Sequence, residues 1–188
     1  MSGQNHVCPW WLCYTFDNPL RRLLHNPEVI LKPYVKPGNH VIDVGAGMGY
    51  FTIPLARLVG PPGRVTAIDL QPRMLSALRR RAGKNGVSEI IATHLANPDT
   101  LGQHAPADFI LAFWMAHEVP AQQEFLTEIR QLLKPEGLFL LVEPKFHVSP
   151  RAFRQTLETA EALGFYSQEH PPIRASHSAL LACCRQPR

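Results

Sequence analysis

Three glycines and two carboxylates carry the clearest chemistry in this chain. The run Val41-Ile42-Asp43-Val44-Gly45-Ala46-Gly47-Met48-Gly49 starts as an apolar strand and breaks into alternating glycines. An amphipathic helix pattern follows from Tyr50 to Leu58. Glycines at a strand-to-helix turn let the backbone approach a ligand where a Cβ would clash. The spacing narrows the ligand. A dinucleotide fingerprint requires G-x-G-x-x-G, and Tyr50 stands where its last glycine belongs. Asp43 lies two positions before the first glycine, where a carboxylate suits a ligand that presents a cation rather than a pyrophosphate. Asp69 follows Gly45 by 24 residues, at the end of the next strand pattern. A carboxylate there can accept two hydrogen bonds from a ribose diol. The plainer reading is a residue of the turn into the next helix. Leu70 would then lie against an adenine face, with Phe113 and Trp114 closing the other side. Ordinary core packing is the alternative for Phe113.

Candidates for proton transfer gather after two later strand patterns: His117, Glu118, Glu143, Lys145 and His147. A base is needed only if the reacting group carries a proton that must leave. His117-Glu118 directly follows the fourth strand and is the expected catalytic pair. The structural alternative is helix-start chemistry, in which Glu118 favours a helix N-terminus. Glu143-Pro144 can simply end a strand, which ranks Lys145 and His147 lower as bases.

These residues need a frame that brings strand ends together. Strands are expected at His40 to Val44, Arg64 to Asp69, near Ile90 to His94, Asp108 to Phe113 and Leu138 to Glu143. Gly60-Pro61-Pro62-Gly63 marks a loop. Helices are expected from Pro72 to about Lys84, ending at Asn85-Gly86, from Ala121 to Leu133, closed by Lys134-Pro135-Glu136-Gly137, and from Pro150 to Leu163. Two final strands lie near Phe165–Glu169 and His177–Cys183, paired as a hairpin or through an antiparallel insertion. Alternating strand and helix argue for an α/β fold with a mainly parallel sheet. In such sheets ligands bind outside the carboxyl ends of the strands. Ahead of the first strand, Pro19 to Tyr34 reads as a helix capped by Asn18, with His25-Asn26-Pro27 as a candidate interruption.

The 188 residues suit a single domain. No apolar run reaches the ~18 residues of a membrane helix. No basic-then-apolar signal pattern opens the chain, so a cytoplasmic home is expected. A net charge of +4 favours anionic partners weakly. Arg79-Arg80-Arg81, with Arg73 and Lys84 near it, reads as a solvated helix face before it reads as a nucleic-acid patch. Cys8, Cys13, Cys183 and Cys184 form no recognisable zinc spacing, and no metal is expected. Cys183 and Cys184 read as buried strand thiols. Cys8 and Cys13 flank Trp10 and Trp11, where packing competes with a reactive or metal-binding thiol.

The chain resembles the class I S-adenosylmethionine-dependent methyltransferases. The resemblance rests on Asp43-Val-Gly45-Ala-Gly47-Met-Gly49, on Val65-Thr-Ala-Ile-Asp69-Leu70, and on Leu132-Leu-Lys-Pro-Glu-Gly137-Leu-Phe-Leu. The last is similar to the family's "LLKPGG" turn, with Glu136 in place of its first glycine. The match covers roughly residues 36 to 145 and is similar to the small-molecule branch that includes ubiquinone and menaquinone biosynthesis enzymes. It implies a Rossmann-like, seven-stranded, mostly parallel sheet in a three-layer α/β/α sandwich. It implies S-adenosylmethionine as cofactor and S-adenosylhomocysteine as product. Asp43 would face the methionine amino group through the turn. Gly45 and Gly47 would lie along the methionine and ribose, with Ala46 and Gly49 in the same turn. Asp69 would hold the ribose hydroxyls, and Ala96-Asn97 would meet the adenine edge. Many relatives carry Asp in that third segment, where this chain has Leu95-Ala96-Asn97.

The expected organisation is one methyltransferase domain over 1–188: an N-terminal helical and aromatic lid over 1–35, a cofactor-binding core over 36–145, and a C-terminal helix with final strands over 146–188. Trp10, Trp11 and Tyr14, with His147, are the expected acceptor-binding residues. A strap on the sheet or a homodimer contact is the alternative for the aromatic segment. Phe113-Trp114-Met115-Ala116 stands where the family's enzymes that methylate nucleobase amino groups carry Asn/Asp-Pro-Pro-aromatic, which disfavours that route and a nucleic-acid partner. A small, partly apolar acceptor is the leading reading. An RNA or protein methyltransferase, a non-catalytic S-adenosylmethionine-binding module, a thiol-directed methyltransferase using Cys8 or Cys13, and a nicotinamide oxidoreductase are the competing ones.

Overall fold

The structure, a computed structural model, describes residues 24–183. Strand β1 (His40–Val44) is buried at every position because it runs through the middle of the sheet. It pairs in parallel with β2 (Arg64–Asp69) on one side and β4 (Ala107–Phe113) on the other. Beyond β2 lies β3 (Ile91–Leu95), and beyond β4 lies β5 (Leu133–Pro144), both parallel to their neighbours. Strand β7 (Ser176–Cys183) runs antiparallel to β5, and β6 (Phe165–Glu169) pairs antiparallel with β7. The order is β3-β2-β1-β4-β5-β7-β6. Both arrangements open for the last two strands therefore meet here: β6 and β7 pair with each other, and β7 is inserted beside β5.

Neighbouring residues of the central strands point to opposite faces, and each face is covered. Ile42, Ile110 and Leu141 pack with α4 (Gln122–Leu132) and α5 (Pro150–Ala162) through Phe125, Ile129 and Phe153. Val41, Leu111 and Leu140 pack with α1 (Pro27–Leu31) and α2 (Thr52–Val59) through Leu31, Leu55 and Val59. Helix α3 (Pro72–Lys84) joins that second side through Leu78 on Ala67 and Ala46. Burial of both faces is why β1 and β4 read as continuous apolar runs rather than alternating ones.

Two elements depart from the sequence expectation. Of the helix expected from Pro19 to Tyr34, the described residues have Leu24 helical, His25 and Asn26 outside any helix, and a second helix over Pro27–Leu31 that ends three residues short of Tyr34. Asn26 is its cap, with its side chain accepting a hydrogen bond from Glu28 N at 3.1 Å. The proline after it holds Asn26 extended, so the expected interruption at His25-Asn26-Pro27 is present and Asn26 caps the helix that follows it. Asn18 lies outside the described residues. The Lys134–Gly137 turn lies within β5, not before it. Pairing steps from Ala107↔Leu133 to Phe109↔Leu138, so four residues loop out against one on β4. Lys134 Nζ donates to Asp108 Oδ1 at 2.6 Å across this bulge.

Gly137 sits where no side chain fits. A Cβ there would lie 2.8 Å from the Ala107 carbonyl oxygen and 2.9 Å from Leu133 Cδ2. Gly137→Ala is expected to cost about 1–3 kcal/mol, the usual range for overpacking. Urea denaturation would read it as a lower midpoint with an unchanged slope. An unchanged midpoint would mean the bulge relaxes freely.

Candidate active site

The chain winds outward through β2 and β3 before returning to β4 on the other side of β1, so the sheet reverses its order between β1 and β4. A crevice opens at the carboxyl ends of such a pair. The glycine turn fills its β1 side. Gly45, Gly47 and Gly49 have φ of 72°, 54° and 88°. Their surroundings differ. A Cβ on Gly45 would come within 2.8 Å of Met115 Cγ, and one on Gly49 within 3.1 Å of Leu78 Cγ. A Cβ on Gly47 would meet nothing within 4 Å among the described residues. Protein occupies the space beside the outer two glycines, while the middle one borders open space. This is the place in the turn where a bound molecule can approach the backbone. Gly45 N and Ala46 N both donate to the Ile68 carbonyl, at 2.9 and 3.0 Å, which ties the turn to β2. Ala46 itself packs inward on Ala67 and Leu78.

The two carboxylates expected to bind the cofactor are held differently. Asp43 is 3% exposed and its Oδ2 accepts from Thr52 Oγ1 at 2.6 Å, at the first residue of α2. The negative charge stands at the positive end of that helix dipole. Asp69 is half-buried at the end of β2. Its Oδ2 accepts from Gly47 N and its Oδ1 from Gln71 N, both at 2.8 Å. Desolvation pushes its pKa above the ordinary carboxylate value, against the pull of those backbone amides. Asp69 therefore shapes the glycine turn directly, in addition to whatever it offers a ligand. Leu70 is 41% exposed beside it, apolar surface at the mouth of the crevice. Ala96 N donates to the Asp69 carbonyl at 3.0 Å, so the Ala96-Asn97 segment adjoins Asp69. Asn97 is exposed and bridges to Thr100. Phe113, in contrast, is buried. It packs on Phe51 (centroids 4.3 Å apart), His25 (5.2 Å) and Trp114 (5.7 Å), so its ring belongs to the core.

The segment after β4 carries His117 and Glu118, the expected catalytic residues. Trp114 has φ of 60°, a left-handed backbone that costs a non-glycine residue about 1–2 kcal/mol. It is pinned by Trp114 N donating to the Val142 carbonyl at 2.8 Å and Nε1 to Ser176 Oγ at 2.9 Å. The bend turns Met115 onto Gly45 and delivers His117 to β5. There His117 Nδ1 donates to Glu143 Oε2 at 2.5 Å. Glu143 is 3% exposed and its other oxygen accepts from Ala116 N at 2.9 Å. The pair is thus His117–Glu143, not the sequence neighbours His117-Glu118. Glu118 is half-buried and acts on His117 through its charge. The Glu143 hydrogen bond raises the His117 pKa above 6.5, overcoming partial desolvation. A carboxylate on Nδ1 leaves Nε2 as the basic nitrogen of the neutral ring. Nε2 has no hydrogen-bond partner among the described residues.

His147 joins this pair, its ring centroid 5.6 Å from that of His117. Phe146, 59% exposed, bridges Trp114 and His147 at 5.2 and 4.8 Å, edge to face. Neither Phe146 nor the bent Trp114 backbone carries a sequence signal of a site. Trp10, Trp11 and Tyr14, the lid they were expected to form, and Cys8, Cys13 and Cys184 lie outside the described residues. Cys183 ends β7, half-buried. Among the described residues no cluster of His, Cys, Asp and Glu could hold a metal ion, and no helix is long and apolar enough to cross a membrane.

Comparison with known proteins agrees with this geometry. Residues 35–172 match the methyltransferase domain family. The demethylmenaquinone methyltransferase of Symbiobacterium thermophilum is 31% identical over 117 residues, 62% of this chain and 47% of that protein. The ribosomal protein L11 methyltransferase of the same organism is 36% identical over 110 residues, 58% of this chain and 34% of that protein. The chain spans about half the length, or less, of these curated relatives. A SAM-dependent methyltransferase from Aquifex aeolicus has the same fold, with a TM-score of 0.81 at 23% identity, covering 94% of this chain and 98% of that one.

The glycines separate folding from binding. Gly45→Ala drives a Cβ into Met115 and is expected to lower the thermal midpoint. Gly47→Ala costs about 1 kcal/mol of backbone strain but fills open space, so its larger effect falls on binding. Calorimetric titration with S-adenosylhomocysteine should show at least about a tenfold loss of affinity in Gly47→Ala. Equal affinity would remove the turn from the binding site. Asp69→Ala should weaken the same binding and also cost about 1.5–3 kcal/mol of stability, because it strips an ionised acceptor from two backbone amides. Retained affinity would end its assignment to the ribose.

Proposed function

The chain belongs to the S-adenosylmethionine-dependent methyltransferases, and on that premise we propose that it methylates a small-molecule acceptor whose proton is taken by His117. One observation carries the reading: a buried carboxylate, Glu143, fixes His117 at the carboxyl ends of β4 and β5, two residues after Met115 contacts the glycine turn. Residues 36–145 would form the cofactor-binding core, with 146–188 completing the acceptor side.

The crevice fits the cofactor. The open side of Gly47 would receive its amino-acid and ribose portion. The lone pairs that Asp69 retains beyond its two backbone bonds would accept from the ribose hydroxyls. Exposed Leu70 and the Ala96-Asn97 segment would border the adenine. Asp43, buried against Thr52, would act on the ligand's amino group through the electrostatics of the turn. When bound, S-adenosylmethionine supplies a methyl group on a sulfonium that departs as a neutral thioether, so the leaving group needs no acid.

What remains for the protein is alignment, exclusion of water and removal of the acceptor's proton. A hydroxyl or amine that gains a methyl group loses a proton, and His117 Nε2 would receive it. Glu143 orients the ring and stabilises the imidazolium that forms. His147 lies against His117, and Phe146 links His147 to Trp114, an aromatic run that suits a flat or partly apolar acceptor. A nucleobase acceptor finds less support, since Phe113, Trp114 and Met115 stand where Asn/Asp-Pro-Pro would be expected for that chemistry.

The pH profile tests the role of His117. Its neutral form is the base, so turnover should rise with pH through a midpoint above the ordinary 6.5. Glu143→Gln removes the charge that raises this pKa and should move the midpoint to lower pH, with turnover reduced about tenfold or more. The measurement is S-adenosylhomocysteine release with phenolic and amine acceptors across pH 5 to 9. Stability carries the opposite signature. A folded pKa raised above the unfolded one gives stabilisation that is full below about 6.5 and fades as pH rises through the folded value. If His117→Ala turns over as fast as the parent, His117 is a structural residue.

A further inference from the structure

A second cavity, of about 550 Å³ and largely open to solvent, lies between α5, the loop joining β6 to β7, and the residue after β5. That volume suits a small molecule. Among the described residues three cationic side chains line it, Lys145, Arg154 and Arg174, and no carboxylate does. None of the three enters an ion pair among the described residues. His177 Nε2, also in the lining, is buried without a hydrogen-bond partner. A buried polar atom left unpaired costs about 1–3 kcal/mol. The walls between these groups are apolar, from Phe153 and Ile173. Pro150 places the amino end of the 13-residue helix α5 at the rim, where the dipole favours an anion.

The cavity adjoins the proposed reactive pair. Lys145 is two residues beyond Glu143, and His177 is the cross-strand partner of Glu143 on β7. The loop bearing Arg174 is clamped: its carbonyl accepts from His25 Nε2 at 2.8 Å and from Ser176 Oγ at 3.0 Å, and Ser178 Oγ donates to the Pro171 carbonyl. Trp114 Nε1 ties Ser176, another lining residue, to the bend that carries Met115 and His117.

We infer that the acceptor is anionic, and that its carboxylate or phosphate group is received by Lys145, Arg154 and Arg174 in this cavity while its apolar body lies toward His117. The inference deepens the methyl-transfer reading and rests on it for the use of the site, but anion binding is measurable without turnover. Benzoate, phenyl phosphate and neutral benzamide would be titrated calorimetrically into the full chain, with and without S-adenosylhomocysteine. At least one anion should bind saturably, at least about tenfold more tightly than benzamide, and the tighter anion identifies the group. A Lys145→Ala/Arg174→Ala double variant should lose about tenfold or more of that affinity while keeping its thermal midpoint and its S-adenosylhomocysteine affinity. Arg154→Ala, on the exposed side of α5, provides an independent second variant with the same expected loss. Benzamide binding as tightly as both anions, or anion affinity unchanged in the variants, overturns the inference. Failure of the parent chain to bind S-adenosylhomocysteine would instead overturn the methyl-transfer reading, with the anion titration still readable alone.

Discussion

Met115 lies so close to Gly45 that any Cβ there would sit 2.8 Å from its Cγ. This contact joins the carboxyl ends of β1 and β4 at the place where the sheet reverses its order. It explains the first glycine of the turn by packing rather than by a ligand. It also requires the backbone to bend immediately after β4, and Trp114 takes up a left-handed conformation to make that bend. Strain of this kind persists where surrounding bonds over-determine it, and Trp114 is held at both its main chain and its indole. The reward is position: His117 emerges beside the end of β5, within reach of Glu143.

Three carboxylates stand at the carboxyl ends of β1, β2 and β5, and each is secured by donors from a neighbouring segment. Asp43 accepts from Thr52, Asp69 from the amides of Gly47 and Gln71, and Glu143 from Ala116 N and His117. An ionised carboxylate in a desolvated setting needs such partners. The same bonds therefore keep the charges tolerable and hold the glycine turn and the β4 extension in shape. The edge is arranged by its electrostatics as much as by its apolar core. On the other side of β5 the sign reverses, and cationic side chains surround the cavity between α5 and the β6–β7 loop.

Most of the framework was legible in the chain. β1, β2 and β6 and helix α3 fall at the expected residues, because apolar runs and Gly-Pro, Asn-Gly or single-glycine turn signals are local features. The break at His25-Asn26 before β1 was legible too, since Asn-Pro caps a new helix, but the end of that helix at Leu31 was not. The Lys134–Gly137 segment reads as a turn, and it is one, but pairing of Leu133 with Ala107 places it inside β5 as a bulge. That pairing depends on a strand 26 residues away.

The candidate site divides along the same line. The glycine spacing, Asp43 and Asp69 point by themselves to a cofactor that is not a dinucleotide, because a strand, its turn and the following strand end lie close in sequence and impose their chemistry locally. Sequence adjacency suggested Glu118 as the partner of His117. Tertiary structure chose Glu143, since neighbours along a 3-10 turn diverge while parallel strand ends converge. Phe113 suited an adenine face on paper, yet a fully covered strand turns its ring into the core. The cluster of Lys145, Arg154 and Arg174 has no signature in the chain at all. Three cations scattered over 30 residues become one cavity only when β7 folds back beside β5.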